Sequence, residues 1–156
     1  MNVKLLVVGK TQEQYLKTGV SIYEKRLKHY VNFEIQVIPE LKNAKNLSEN
    51  ELKKREGKLI LKKLETFDTA VLLDERGSHF SSVQFSNFLR KKMNSGIKNL
   101  VFVIGGAYGF SDEVQEAVRE KMSLSKMTFS HQMVRLFFVE QLYRAMTILK
   151  RERYHH

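Results

Sequence analysis

The 156-residue chain has no cysteine, no tryptophan and a single proline, Pro39. Without cysteine there can be no disulfide or thiolate metal site, and the chain suits a reducing compartment. No Ser-His-Asp triad and no cluster of His, Asp and Glu at metal-ligand spacing stands out, so no metal is expected. No apolar run approaches the ~20 residues needed to span a bilayer. Met1-Asn2-Val3-Lys4-Leu5 enters a strand-like run without a signal-peptide pattern. The expectation is a cytoplasmic protein with no membrane partner. Acidic charge is scarce: 17 Asp and Glu face 27 Lys and Arg, a net charge of +10. Such an excess fits a polyanionic partner, because each neutralised phosphate releases condensed counterions, and it fits a generally basic soluble protein as well.

Hydrophobic residues make up 42% of the chain. A single domain over residues 1–156 is expected, long enough to bury roughly 70% of its unfolded surface. Val3 to Val8 is a short apolar run closed by Gly9-Lys10, as for a buried strand. Leu16, Val20, Tyr23, Leu27 and Tyr30 recur at spacings of three and four, which predicts a helix between Thr11 and Tyr30. Phe33, Ile35 and Val37 alternate with polar residues and stop at Pro39. Ser48, with Glu51 three residues on, opens a second helix that carries the densest basic run, Lys53, Lys54, Arg55, Lys58, Lys62 and Lys63. That run reads most economically as a solvated helix face.

Thr69 to Leu73 reads as a strand ending at Asp74-Glu75-Arg76-Gly77, followed by a helix from about Ser81 to Met93. Leu100 to Ile104 is the next strand, and a short helix begins near Ser111-Asp112-Glu113. Met122 to Met127 is a weaker strand or extended loop, and the last helix runs from about His131 to Arg151. Strands alternating with helices predict an α/β fold, a mostly parallel sheet covered on both faces. The last helix is apolar nearly all round, from Met133 and Val134 to Ile148 and Leu149. One sheet covers only one side of such a helix, so its other side is expected to meet a second copy of the chain in a homodimer.

Two segments carry the chemistry. Val101-Phe102-Val103-Ile104-Gly105-Gly106 is a buried strand stopping at a glycine pair, which leaves bare amides at the carboxyl edge where open α/β sheets bind ligands. Gly105-Gly106-Ala107-Tyr108-Gly109 is neither a Walker A loop nor a dinucleotide G-x-G-x-x-G, and by itself it fits a tight turn equally well. Two dozen residues later, Leu124 to Phe129 offers a loop of backbone donors and acceptors, or else an edge strand, leading into a helix headed by His131 and Arg135. His131 and Arg135, four apart on an apolar face, call for polar partners, unless they merely cap an exposed first turn. Glu140 and Arg144 read as a surface pair. Asp74 and Glu75 offer a possible acid or base without a paired partner. The end, Lys150-Arg151-Glu152-Arg153-Tyr154-His155-His156, either follows a phosphate backbone and stacks on a base or is a frayed terminus.

Taken in order, these segments resemble the RlmH (formerly YbeA) family, ribosomal RNA large-subunit methyltransferases of the SPOUT class. The resemblance spans the whole chain. It rests on Val3 to Lys10, Tyr23 to Leu27, Glu56-Gly57, Phe102 to Gly106, Leu124 to Phe129, Glu140 to Ala145 and Tyr154-His155. It implies a carboxyl-terminal trefoil knot, which periodicity does not indicate and general topology disfavours. It implies a homodimer acting on the ribosome, moving a methyl group from S-adenosylmethionine to N3 of a pseudouridine in large-subunit (23S) ribosomal RNA. Leu73, Gly105, Leu124, Ser125, Lys126, Met127, Thr128 and Phe129 match the family's cofactor-binding positions. Ser130 stands where a proline commonly precedes His131, a departure that bears on the rigidity of the loop's exit.

Within that reading, Arg135 is the expected electrostatic stabiliser of an N3 anion, His131 or His155 the proton acceptor, and Tyr154 the base-stacking partner. Two other classes stay open on the residues: a non-catalytic ribosome-binding or assembly factor, and a small flavin- or phosphate-binding domain.

Overall fold

The computed structural model describes residues 1–156. The elements alternate as anticipated: β1 (Asn2–Val8), α1 (Gln14–Leu27), β2 (Asn32–Ile38), α2 (Glu49–Leu64), β3 (Thr69–His79), α3 (Ser82–Asn94), β4 (Asn99–Ile104), α4 (Asp112–Ala117), β5 (Glu120–Ser123) and α5 (Met133–Leu149). The strands form one sheet in the order β2-β1-β4-β3-β5, with every neighbouring pair parallel.

Alternation along the central strands sorts the core into two layers. Val3, Leu5 and Val7 of β1 join Leu100, Phe102 and Ile104 of β4 beneath α1, α3 and α5. Leu6 and Val8 join Val101 and Val103 on the opposite face, with Ile60 of α2 and Val114 of α4. Strands buried on both faces read as continuous apolar runs, which is why β1 and β4 show no polar alternation in sequence. No helix is long and apolar enough to cross a membrane.

Helix starts follow local chemistry. Ser48 Oγ accepts from the amide of Glu51, Ser111 Oγ from that of Val114, and Ser81 makes a reciprocal capping box with Gln84. α5 lies between α1 and α3, its Phe138, Val139, Leu142 and Ala145 wholly buried. Those two helices flank it, so the expectation of an entire bare side shrinks to a small area: Met133 is 38% and Phe137 40% exposed, with the ring of Phe129 (36%) tilted against that of Phe137, centroids 4.8 Å apart.

β3 departs most from the sequence reading, continuing to His79 instead of ending near Leu73. Its register against β5 shifts between Leu73 and Ser78, so Met122 faces both and Asp74 to Gly77 bulge outward. Gly77 permits the return, since a Cβ there would lie 2.6 Å from the backbone of Lys121 and Met122. Leu124 to Phe129, open between edge strand and loop in the sequence, lies beyond β5 outside any strand.

Candidate active site

The chain leaves β3 for α3 on one face of the sheet and leaves β4 for α4 on the other, returning across β3 to β5. The carboxyl ends of β4, β3 and β5 therefore lie side by side where the crossovers change face, a place where open α/β sheets bind ligands. A cavity of about 380 Å³ opens there, within the ~300–1,000 Å³ typical of small-molecule sites.

Seven of the eight expected cofactor residues line this cavity: Leu73, Gly105, Leu124, Ser125, Met127, Thr128 and Phe129. Lys126 is exposed and does not. Gly105 is buried, and a Cβ on it would sit 3.1 Å from the backbone of Gly109, which folds back by donating its amide to the Gly106 carbonyl. Side chains tie down the second loop. Thr128 Oγ1 donates to Glu75 in the β3 bulge at 2.6 Å. Ser125 Oγ accepts from the amide of Met127, and Ser123 Oγ donates to the Ser125 carbonyl. Ser130 Oγ accepts from the amide of Met133, the first residue of α5, at 3.1 Å, which ties the loop's exit to the helix.

His131 lines the cavity and Arg135 does not. Burial, then the Arg135 cation, hold the His131 imidazole below its ordinary range, with Glu40 opposing. Arg135 is 1% exposed. It donates from Nη2 to the Val8 carbonyl (2.8 Å), from Nη1 to the Gly9 carbonyl (2.9 Å) and Thr11 Oγ1 (3.2 Å), and from Nε to the His131 carbonyl (3.2 Å). Burial pulls it down to about 10, which leaves it a cation at neutral pH. Instead of facing the cavity, the guanidinium clamps the start of α5 to the end of β1.

Tyr154 and His155 also stand outside the cavity of their own chain. The tail is folded back onto α5 instead of frayed. Tyr154 packs edge-on against Tyr143 at 4.7 Å, beneath Arg144, and donates to Glu140 at 3.0 Å. Burial and bonds to Tyr23 and Glu140 push its hydroxyl far above the ordinary phenol range. His155 Nδ1 is buried without a partner. The Glu140–Arg144 pair is thus no plain surface pair; both side chains are largely buried, 2.7 Å apart, and hold the tail.

Several lining residues are not expected at a site from the sequence: Arg76 from the bulge, Lys53 from α2, where the basic run reads as a solvated face, and Val134 from α5. Asp74 is not free to act as an acid. Burial alone would raise it, but hydrogen bonds from the backbone and guanidinium of Arg76 and from Gln115 outweigh that and hold it low. Glu56 is buried against Gly106, with Oε2 unpartnered, and burial, then Glu40, push its carboxyl up. No group of three or more His, Cys, Asp or Glu side chains is arranged to hold a metal.

Comparison with known proteins agrees with this architecture. The family described as "Predicted SPOUT methyltransferase" matches residues 1–155. A protein of Flavobacterium psychrophilum named "Ribosomal RNA large subunit methyltransferase H" is 60% identical over 156 residues, covering 100% of this chain and 99% of that one. One of the same name from Christiangramia forsetii is 58% identical over the same span. Among solved structures, a probable methyltransferase of Bordetella pertussis Tohama I superposes with a TM-score of 0.59 at 12% identity, covering 93% of this chain and 94% of that one. A probable methylase family protein of Haemophilus influenzae gives 0.56 at 9% identity, covering 99% and 70%. At such identities these two speak for the fold alone.

Proposed function

The chain belongs to the SPOUT methyltransferase family, and on that premise we propose that it methylates N3 of a pseudouridine in large-subunit (23S) ribosomal RNA, with S-adenosylmethionine as donor. The observation that carries this reading is the cavity itself: backbone from Gly105 and from 124–129, gathered at the carboxyl ends of three strands. Such a lining suits an adenosyl compound, because main-chain donors and acceptors can read adenine edges and the approach at Gly105 is close. The relatives' names favour an enzyme over a non-catalytic ribosome-binding factor.

When bound, S-adenosylmethionine supplies a methyl group on a sulfonium leaving group. What remains for the protein is alignment of that methyl group with N3 and removal of the N3 proton. His131, lining the cavity and neutral at pH 7 because its protonated form is disfavoured, is the proton acceptor within the chain's own site. Arg135 acts as a positioning residue for His131, through its bond to the His131 carbonyl. Tyr154 and His155 handle the RNA base at the cavity of a second copy, since they do not reach their own.

That arrangement needs a homodimer. The exposed apolar area of Met127, Phe129, Met133 and Phe137 beside the cavity supplies a contact for it, and light scattering should give twice 18.3 kDa. The trefoil knot belongs to the same proposal, as does a single domain over 1–156 working in the cytoplasm, where ribosomes are. Mass spectrometry of ribosomal RNA nucleosides, from cells with and without the protein, tests the activity. The proposal expects one methylated pseudouridine to disappear with the protein; an unchanged inventory contradicts it.

A further inference from the structure

The six cations of α2 between Lys53 and Lys63 form none of the ion pairs in the structure, which are Lys4–Glu34, Arg76–Asp74, Lys92–Glu120 and Arg144–Glu140. Lys54, Lys58 and Lys62 are all exposed and four residues apart. They make one straight stripe spanning about 12 Å at the helical rise. The stripe starts next to Lys53, which lines the rim of the cavity.

Like charges four apart on a helix destabilise it, and two such pairs stand here with no salt bridge to any of the three lysines. The helix's own acids are Glu49 and Glu51 in the first turn, Glu65 at the carboxyl cap and the buried Glu56; Glu51 and Glu65 stand three residues from Lys54 and Lys62, yet neither forms an ion pair with them. Glu113 at the start of α4 is drawn to Lys54 and Lys58; its own backbone amide, more than either lysine, keeps it ionised. Only Lys62, in the last turn where a cation complements the helix dipole, gains from its place in the helix; Lys54 and Lys58 do not. The opposite face of α2, with Gly57 and Ile60, is buried, so the stripe is presented on a fixed support.

We propose that Lys54, Lys58 and Lys62 form a docking track for the phosphate backbone of ribosomal RNA, leading outward from the cavity rim at Lys53; that the nucleic acid is ribosomal rests on the functional reading above. Protein-binding surfaces are enriched in aromatic residues and arginine and depleted of lysine. Exposed α2 shows the reverse, with no aromatic side chain. Ammonium groups act on phosphates as point charges without reading sequence, so the track supplies affinity and register while the cavity supplies specificity.

The test compares wild type, K54A/K58A/K62A and the control R90A/K91A/K98A, which removes three exposed charges from α3 and the turn after it. Alanine favours helix, so α2 keeps its fold. Each protein is titrated with protein-free large-subunit ribosomal RNA over a series of potassium chloride concentrations. The track predicts that the slope of log affinity against log salt falls by about 2, at roughly 0.7 per lost phosphate contact, with affinity near 0.1 M salt down tenfold or more. S-adenosylmethionine affinity stays unchanged and the control keeps the wild-type slope. A wild-type slope in the α2 variant, an equal loss in the control, or no binding of the RNA by wild type overturns the proposal. So does a loss seen with intact ribosomes but absent with protein-free RNA, which assigns the stripe to a ribosomal protein. If wild type binds the RNA with the expected slope yet transfers no methyl group to ribosomes, the functional reading fails and the track stands.

Discussion

Arg135 Nη2 lies 2.8 Å from the carbonyl oxygen of Val8, joining the first turn of α5 to the last residue of β1 across 127 positions of sequence. Nη1 reaches the next carbonyl, that of Gly9. Both carbonyls are buried, and the guanidinium stands in for the water they have lost. Arg135→Ala strands them, at about 1–3 kcal/mol for each unsatisfied group. A loss of about 3 kcal/mol in urea unfolding is expected, whereas an arginine serving only the reaction would leave stability intact.

The imidazole of His131 sits below its ordinary value of 6.5 because burial and the Arg135 cation both disfavour its charged form. The neutral base therefore predominates at pH 7, and the acid limb of the methyl-transfer rate should fall below pH 6.5. His131→Asn should remove that limb and cost about 10²–10⁴ in rate. An unchanged limb in the variant would assign the proton to another group. The same depression has a stability sign. Below pH 6.5 the unfolded imidazole binds a proton that the folded one refuses, so His131 makes the fold less stable on acidification.

Gly77→Ala puts a Cβ 2.6 Å from the backbone atoms of Lys121 and Met122, where no side chain can rotate aside. The second register of β3 against β5 must open. A loss of about 1–3 kcal/mol is expected from the overpacking, together with weaker cofactor affinity, because β5 leads directly into the 124–129 loop. Thermal unfolding and a cofactor titration on the same sample would check both.

Tyr154→Phe keeps the edge-on contact with Tyr143 but deletes the hydroxyl shared by Glu140 and Tyr23. The variant should lose about 1 kcal/mol of stability. If Tyr154 stacks on the RNA base, methyl transfer survives in Tyr154→Phe and is lost in Tyr154→Ala.

Much of this was legible in the residues. Periodicity marks α1, start residues mark α2 and α4, an apolar circumference marks α5, and the apolar runs at β1 and β4 mark the buried centre of the sheet. Three features were not. Asp74 to Gly77 reads as a turn in the sequence; only the backbone of β5 shows that the strand resumes at Ser78. Spacing along a helix places Arg135 beside His131 without saying which way a long side chain turns; carbonyls 126 and 127 positions away decide that. The tail stays open between an RNA-following segment and a frayed end in the sequence because its anchors, Tyr23 and Tyr30 of the α1 region and Glu140 of α5, do not adjoin it there.

Calorimetric titration of the protein with S-adenosylmethionine tests the central claim most directly, with Gly105→Val as its partner sample. A saturable heat at one site per chain, absent in the valine variant, is the expected result. A wild-type protein that gives no heat, or a variant that binds as well as wild type, would contradict the assignment of this cavity.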